Sequence, residues 1–325
     1  MARVFCLGEA LVDRLLPWGN DPGGNCLGGA PANVACALAR LGTPVGFIAR
    51  LGCDAIGADF DRLFEQRGVE RQGLQWDQQR PSRIVLVQRD ASGDRCFGGF
   101  SGDRGQGFAD QALEASSLPA ELERGVDWLA IGSIPLATPA SAAALERAVQ
   151  WQLASGGRLA LDVNWRPTFW GLAANADPPA PIREQLLAFL ARAQLLKLAA
   201  EEAQALFNSR DPQAVASALP QRPAVVITDG GAGVSWCVGA ARGSLPAFPV
   251  PVQDTTGAGD AFFAGLLHQL VARPELLSGG DPEALRQALG FASACGALVC
   301  RAKGAIDPQP DAAAVASFLQ AQPQL

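Results

Sequence analysis

Short apolar runs, four to six residues long, recur along the chain and alternate with stretches of helical periodicity. That alternation constrains the fold more than any other feature. Val4–Leu7, Val126–Ile131, Arg158–Val163 and Ala224–Thr228 read as buried strands. Pro31 to Leu41 reads as a helix, with proline near its start, Gly42 past its end, and Val34, Leu38 and Leu41 along one face. Two longer helices are expected, Gly257 to Arg273 and Pro282 to Ala302, with Gly304 stopping the second. Strands separated by helices predict an α/β chain, a three-layer α/β/α sandwich around a mostly parallel central sheet. One hairpin breaks the rhythm: Arg83–Arg89 as a strand, Asp90–Asp94 as a turn, Arg95–Phe97 as the return. It is assigned to a small β-sheet lid built from segments near 10–27 and 83–108. A strand pair is expected within Val234–Val252, broken by Gly239 to Gly243, with Phe248–Val252 strand-like. No repeat or long linker divides residues 1–325, so a single domain is expected.

Composition removes several chemistries. Only two of the 26 basic residues are lysine, Lys197 and Lys303, and neither precedes Ser or Thr, so no P-loop is available. One histidine, His268, cannot build a multi-histidine metal site, and a structural role is expected for it. Neither GxSxG nor GxGxxG occurs. The net charge of −6 argues against nucleic acid or an anionic membrane as partner. No apolar run approaches the roughly 18 residues of a membrane span. The eight cysteines form no CxxC and are expected to be buried and reduced, in a cytoplasmic protein.

Two segments carry chemistry. Asp254-Thr255-Thr256-Gly257-Ala258-Gly259-Asp260 opens an apolar helix. Gly-Ala-Gly there leaves backbone N–H groups unobstructed at the positive end of the helix dipole, a ready anion site. Asp260 in the first turn is a favourable charge in any helix. Beside a bare-backbone anion site it also fits a general base at a phosphoryl-transfer centre. Near the other end, Gly28-Gly29-Ala30-Pro31-Ala32-Asn33 opens the first helix; glycines there permit close approach of a ligand, and Asn33 offers donors and an acceptor to hydroxyls.

With Gly8-Glu9-Ala10-Leu11-Val12-Asp13 and Asp162-Val163-Asn164-Trp165-Arg166-Pro167-Thr168-Phe169-Trp170, these motifs run in order along nearly the whole chain. In that order they resemble the ribokinase (PfkB) family of carbohydrate kinases, and within it the fructokinase branch. The resemblance implies transfer of the γ-phosphoryl of ATP to the 6-hydroxyl of fructose. It implies Asp260 as base, an anion hole at Gly257, Ala258, Gly259 and the Asp260 amide, and Arg166 near the sugar or phosphate. It implies sugar contacts from Asp13, Gly28, Gly29 and Asn33, and nucleotide contacts from Thr228, Gly230, Gly233, Gly257, Gly259 and Ser293, the last near the adenine. It implies Mg²⁺, linked through water to Glu202, and a K⁺-type monovalent-cation site at Asp254, Thr256, Val299, Ala302 and Gly304. It also implies homodimer formation through the lid.

The sequence departs from the family at Lys197-Leu198-Ala199-Ala200-Glu201-Glu202, where Ala199 stands in place of Asn or Ser. Both lysines are expected to be secondary phosphate contacts at most. Trp170 is expected to form a pocket wall, and Arg95 and Arg104 to be solvated. A 2-keto-3-deoxygluconate kinase or another PfkB sugar kinase, and a catalytically silent sugar or nucleotide sensor, are the alternatives.

Overall fold

The computed structural model describes residues 3–19, 21–89 and 95–322. The strands are β1 (Val4–Leu7), β2 (Leu11–Leu15), β3 (Gly24–Gly28), β4 (Val45–Gly52), β5 (Glu70–Asp77), β6 (Ile84–Arg89), β7 (Arg95–Ser101), β8 (Trp128–Ile131), β9 (Arg158–Asp162), β10 (Leu195–Ala199), β11 (Ala224–Thr228), β12 (Val234–Val238) and β13 (Ala241–Leu245). The helices are α1 (Ala30–Arg40), α2 (Ala55–Arg67), α3 (Ala120–Arg124), α4 (Pro139–Ala154), α5 (Ala180–Leu190), α6 (Ala200–Phe207), α7 (Pro212–Ala218), α8 (Ala258–Ala272), α9 (Pro282–Val299) and α10 (Ala312–Gln320).

Nine strands form the central sheet in the order β13-β12-β11-β10-β9-β8-β1-β4-β5. All its pairings from β11 to β5 are parallel; β12 and β13 extend it antiparallel. Strand side chains alternate between faces, and a sheet covered on both faces must be apolar on both. On β1, Val4 and Cys6 enter one core with residues of α1, α2, α8 and α9. Phe5 and Leu7 enter the other, with residues of α3 to α7. The expected three-layer architecture is therefore observed.

A second sheet of four strands, β3-β2-β6-β7, comes from the two segments that the sequence assigns to a lid. The Asp90–Asp94 turn and the Arg95 side chain lie outside the described residues, and Arg104 is exposed. Among the described residues no helix is long and apolar enough to cross a membrane.

Several expectations are corrected. Phe248–Val252 is not a strand; β13 resumes at Ala241 and includes Gly243, so the hairpin is shorter and its break narrower. Gly243 is tolerated there because its α-carbon packs on the Trp236 ring, with no room for a Cβ. Helix α9 ends at Val299 with Cys300 as its cap, before Gly304. Of the cysteines, Cys6, Cys36, Cys237 and Cys295 are buried, but Cys53 is exposed and three are half-buried.

Candidate active site

At the carboxyl ends of parallel strands the chain leaves the sheet and its backbone groups face a common crevice, where ligands of open α/β sheets bind. Here β1 delivers Glu9, β9 delivers Asp162 and Arg166, and β10 delivers Ala199 and the start of α6. The small sheet roofs this edge. Between them lies a cavity of about 780 Å³ whose walls include Glu9, Asp13, Gly29, Asn33, Arg166, Lys197, Glu202, Asp254, Thr256, Gly257, Gly259 and Asp260. Residues distant in sequence are thus brought together as the motifs suggest.

Helix α8 begins without a side-chain cap: Gly257, at φ 79°, holds the N-cap position. A side chain at Gly257 would be strained and would meet Ala305, 2.6 Å from a Cβ. The Ala258 N–H turns inward to Thr255 O at 3.2 Å. The Gly259 and Asp260 amides have no preceding-turn carbonyl inside the helix to bond, as expected in a first turn. A Cβ on Gly259 would stand 3.0 Å from Lys197 Nζ. The helix N-terminus and an ammonium group therefore share one place, where an anion is favoured.

Lys197 is the residue that sequence reasoning undervalued. It is 6% exposed, and its Nζ donates to both oxygens of Asp162 at 3.0 and 2.9 Å. Burial works against its charge, but Asp162, Glu202 and Asp260 outweigh burial and hold it protonated above the ordinary lysine range. Lys303, by contrast, is 69% exposed, 3.6 Å from Asp21. The register of parallel β9 and β10 sets Lys197 beside Asp162, a pairing no local motif announces.

Asp260 accepts from Asn33 Nδ2 at 2.7 Å. Burial, then the Asp162 charge, push its carboxyl up to about 6; the Asn33 bond, Lys197 and Arg166 pull the other way. Asn33 is buried on α1, and its Oδ1 has no hydrogen-bond partner among the described residues. Gln309, absent from the sequence reading, donates to the Asn33 carbonyl at 2.9 Å and so fixes this turn from the far end of the chain. Gly29 caps α1 at φ 102°, and a Cβ there would stand 2.6 Å from the Glu9 carbonyl oxygen. Gly28 is outside the cavity wall; a Cβ on it would meet Asp13 Oδ2 at 3.3 Å and Asn33 Oδ1 at 3.9 Å.

Glu202 accepts from the Trp165 N–H at 2.7 Å and the Ala199 N–H at 2.8 Å. Both oxygens are engaged by backbone, so the carboxylate fits a water-mediated metal contact better than a direct one. Glu202 takes up the Ala199 N–H, but Ala199 offers no side-chain acceptor to the first-turn N–H groups of α6, where a polar residue would. Burial and Asp162 raise the Glu202 carboxyl; Lys197 and the two N–H bonds oppose them. Among the described residues no three His, Cys, Asp or Glu side chains gather to hold a metal.

The loop at Asp254 meets the loop after α9. Asp254 Oδ1 accepts from the Thr256 hydroxyl at 2.7 Å and its N–H at 3.1 Å; Oδ2 accepts from Gly304 N–H at 2.9 Å. The Cys300 carbonyl accepts from Gln253 and Asp254. Asp254, Thr256 and Gly304 are therefore neighbours, with Val299 and Ala302 in the same turn region. A buried carboxylate beside backbone carbonyls is the donor set that suits a hard monovalent cation.

Thr228, Gly230, Gly233 and Ser293 do not line the cavity that holds Asp260. Thr228 ends β11, Gly230 opens a short 3₁₀ turn closed by Gly233, and Ser293 is half-buried on α9. Trp170 is not a wall either: it packs on Trp165 at 5.7 Å, and Phe169 and Thr168 line the cavity instead. His268 bonds Thr43 at 2.7 Å and stacks on Phe291, the structural role expected.

A buried carboxylate held beside a helix N-terminus and an ammonium, under a small β-sheet, defines a phosphoryl-transfer site in a three-layer α/β/α fold. Comparison with known proteins is in accord. Residues 1–312 match the pfkB family carbohydrate kinase model, and the chain belongs to that family. It is 35% identical to a fructokinase of Klebsiella pneumoniae over 313 residues, covering 95% of this chain and 96% of the relative. Among solved structures it superposes on the fructokinase of Xylella fastidiosa with bound ATP (TM-score 0.87, 30% identity, 98% and 99% covered). It also superposes on the fructokinase of Vibrio cholerae O395 in fructose, ADP and calcium ion bound form (TM-score 0.83, 30% identity, 98% and 99% covered).

Proposed function

We propose that this carbohydrate kinase is an ATP-dependent fructokinase, with Asp260 as the general base for the 6-hydroxyl. The observation that carries the reading is the position of Asp260, in the same first turn as the free Gly259 and Asp260 amides and tied to Asn33. Asp260 takes the hydroxyl proton as the sugar oxygen forms its bond to the γ-phosphorus, and the bond from that phosphorus to the β-phosphate oxygen breaks, releasing ADP. Positioning and charge stabilisation carry most of such a reaction. The Gly259 and Asp260 amides, Lys197 and Arg166 would stabilise the transferring phosphoryl, with Gly257 keeping the backbone open; Ala258 would shape the turn. Mg²⁺ arriving with the nucleotide supplies charge neutralisation, and Glu202 would hold one of its waters. Asp254, Thr256, Gly304 and the turn at Val299 and Ala302 would hold K⁺.

Asp13, Gly28, Gly29 and Asn33 would surround the sugar. Asp13 and Asp260 would put carboxylate charge at this end, which favours a neutral ketose over an anionic keto acid. The nucleotide would extend from the phosphate site past Thr228, Gly230 and Gly233, with Ser293 toward the adenine. Self-association through the small sheet belongs to the same proposal: β3 and β7 are edge strands of it. ATP as donor and free cysteines support a reducing, cytoplasmic setting.

A panel of ketoses, aldoses and keto acids with ATP and Mg²⁺, read by ADP release, tests the function. Fructose should give the highest kcat/KM. A higher value for a keto acid, or no turnover with any sugar, would overturn it.

A further inference from the structure

The first turn of α1 is gripped from outside rather than capped. Gly29 at the N-cap carries no capping side chain, and the turn contains Pro31, which has no N–H. Two side chains hold it instead. Glu9 Oε1 accepts from the Ala30 N–H at 3.1 Å where the helix begins, and Gln309 Nε2 donates to the Asn33 carbonyl at 2.9 Å where the turn ends. Gln309 is 2% exposed, and its Oε1 has no hydrogen-bond partner among the described residues. Burying a half-satisfied amide is unfavourable, and an apolar side chain would pack there at less cost. What the amide adds is its bond to α1.

Gln309 is itself firmly anchored, because it ends a short segment tied to the body along its length. The Gly304 N–H donates to Asp254 Oδ2 at 2.9 Å. Ala305 is buried against Gly257, the N-cap of α8. The buried Ile306 offers its carbonyl to Arg67 of α2 at 3.2 Å and to the Gln309 N–H at 3.3 Å. Residues 304–309 thus touch the Asp254 loop, the start of α8 and the start of α1, the three pieces of backbone around Asp260.

We propose that Gln309 is a positioning residue for the base, holding the first turn of α1 so that Asn33 Nδ2 stays on Asp260 Oδ2. The inference rests on the reading of Asp260 as the base. Two bonds carry the effect, 2.9 Å from Gln309 to the Asn33 carbonyl and 2.7 Å from Asn33 to Asp260. Without the first, α1 is free to pivot at Gly29, and Asn33 withdraws from the carboxylate. The other groups facing Asp260 then decide its charge: Asp162 of β9 and Glu9 after β1 oppose ionisation together with burial, while Lys197 of β10 and Arg166 favour it. Removing the Asn33 bond from that balance makes Asp260 harder to ionise.

The test is the pH dependence of kcat/KM for fructose between pH 5 and 8.5, with KM for ATP, in wild type, Gln309→Met, Asn33→Ala and the two combined. Methionine keeps the length of the side chain and removes its donor; Gln309→Ala asks the same question if the methionine variant does not fold. In the Gln309 variant the plateau should fall about three- to tenfold, and the acid limb should move up by about half to one pH unit from its wild-type position near 6, with ATP KM unchanged. Asn33→Ala should move the limb at least as far. Adding Gln309→Met to it should move the limb no further, because both act through one bond. A limb that stays in place in the Gln309 variants, or that moves again in the combined variant, would overturn the positioning role. So would a loss of activity matched by an equal loss of folded protein. Wild-type enzyme with no acid limb, or with no sugar turnover, would instead overturn the reading of Asp260 as the base, and this proposal with it.

Discussion

Asp260, the proposed base, is buried among other carboxylates, so its chemistry depends on which neighbour prevails. Burial and Asp162 raise it; Asn33, Lys197 and Arg166 lower it; it titrates near pH 6. The base form is lost as pH falls through that value. The kcat/KM for fructose should be level above pH 7 and fall about tenfold per unit well below 6. Asp260→Asn should reduce kcat by about 10²–10⁴ while fructose still binds, as calorimetric titration can show. Retained turnover in that variant would move the base elsewhere. Lys197 makes the opposite kind of contribution. Breaking a buried ion pair strands its partner, at a cost of about 3–5 kcal/mol. Lys197→Met should therefore lower the urea midpoint sharply. The double variant Lys197→Met with Asp162→Asn should recover most of that stability but not the activity, because the proposed phosphate contact is lost in both. Equal stability of the single and double variants would show that the pair is not coupled.

Arg83 joins the small sheet to the α/β body. Arg83, 4% exposed just ahead of β6, donates to Asp110 from Nε at 2.7 Å and from Nη2 at 3.0 Å. Its guanidinium also lies 4.4–4.7 Å from the rings of Phe100, Phe108 and Phe169. Phe100 is on β7, while Phe169 follows β9 and lines the cavity. A desolvated cation on aromatic faces is held at about 2 kcal/mol per strong contact, so this cage ties the lid to the sugar end. Arg83→Leu should loosen it, raising fructose KM and letting water compete as acceptor. ADP release without sugar would measure the leak; a background equal to wild type would show that Arg83 does not govern closure. Strands β1, β6, β7, β8, β9, β11 and β12 and the helices α1, α8 and α9 were legible in the sequence because apolar periodicity and glycine stops are local; β4, β5 and β10 were not. So were Asp260 and Asn33, which stand in contiguous glycine-rich motifs. The Arg83 cage, the Lys197–Asp162 pair and the Gln309 clamp were not, since each joins residues that only tertiary packing brings together. Phe248–Val252 misled for the same reason: an apolar run makes a strand only where a neighbour offers its ladder.

Across the whole molecule, the burial that poises these carboxyls also links folding to pH. Glu9 titrates near 8 when folded against an ordinary value of 4.5, and Asp260 near 6 against 3.8. Between each pair of values the native chain holds a proton that the unfolded chain has released. Stability therefore falls as pH rises through those windows, from about 4 to 8. Asp77 acts in the other sense. It is buried, which alone would raise it, but the Gln79 and Arg80 N–H groups and the Arg50 guanidinium outweigh burial and lower it. Its contribution is present above the unfolded value and lost as pH falls through the folded one. The opposing slopes place the highest Tm of the ligand-free protein on the acid side of neutrality, with a decline toward pH 8. Glu9→Gln cannot ionise, so its Tm should decline less between pH 6 and 8 than that of the wild type. Scanning calorimetry from pH 4 to 9 on the two proteins decides the matter. Parallel curves above pH 6 would mean that Glu9 releases its proton no later in the folded chain than in the unfolded one.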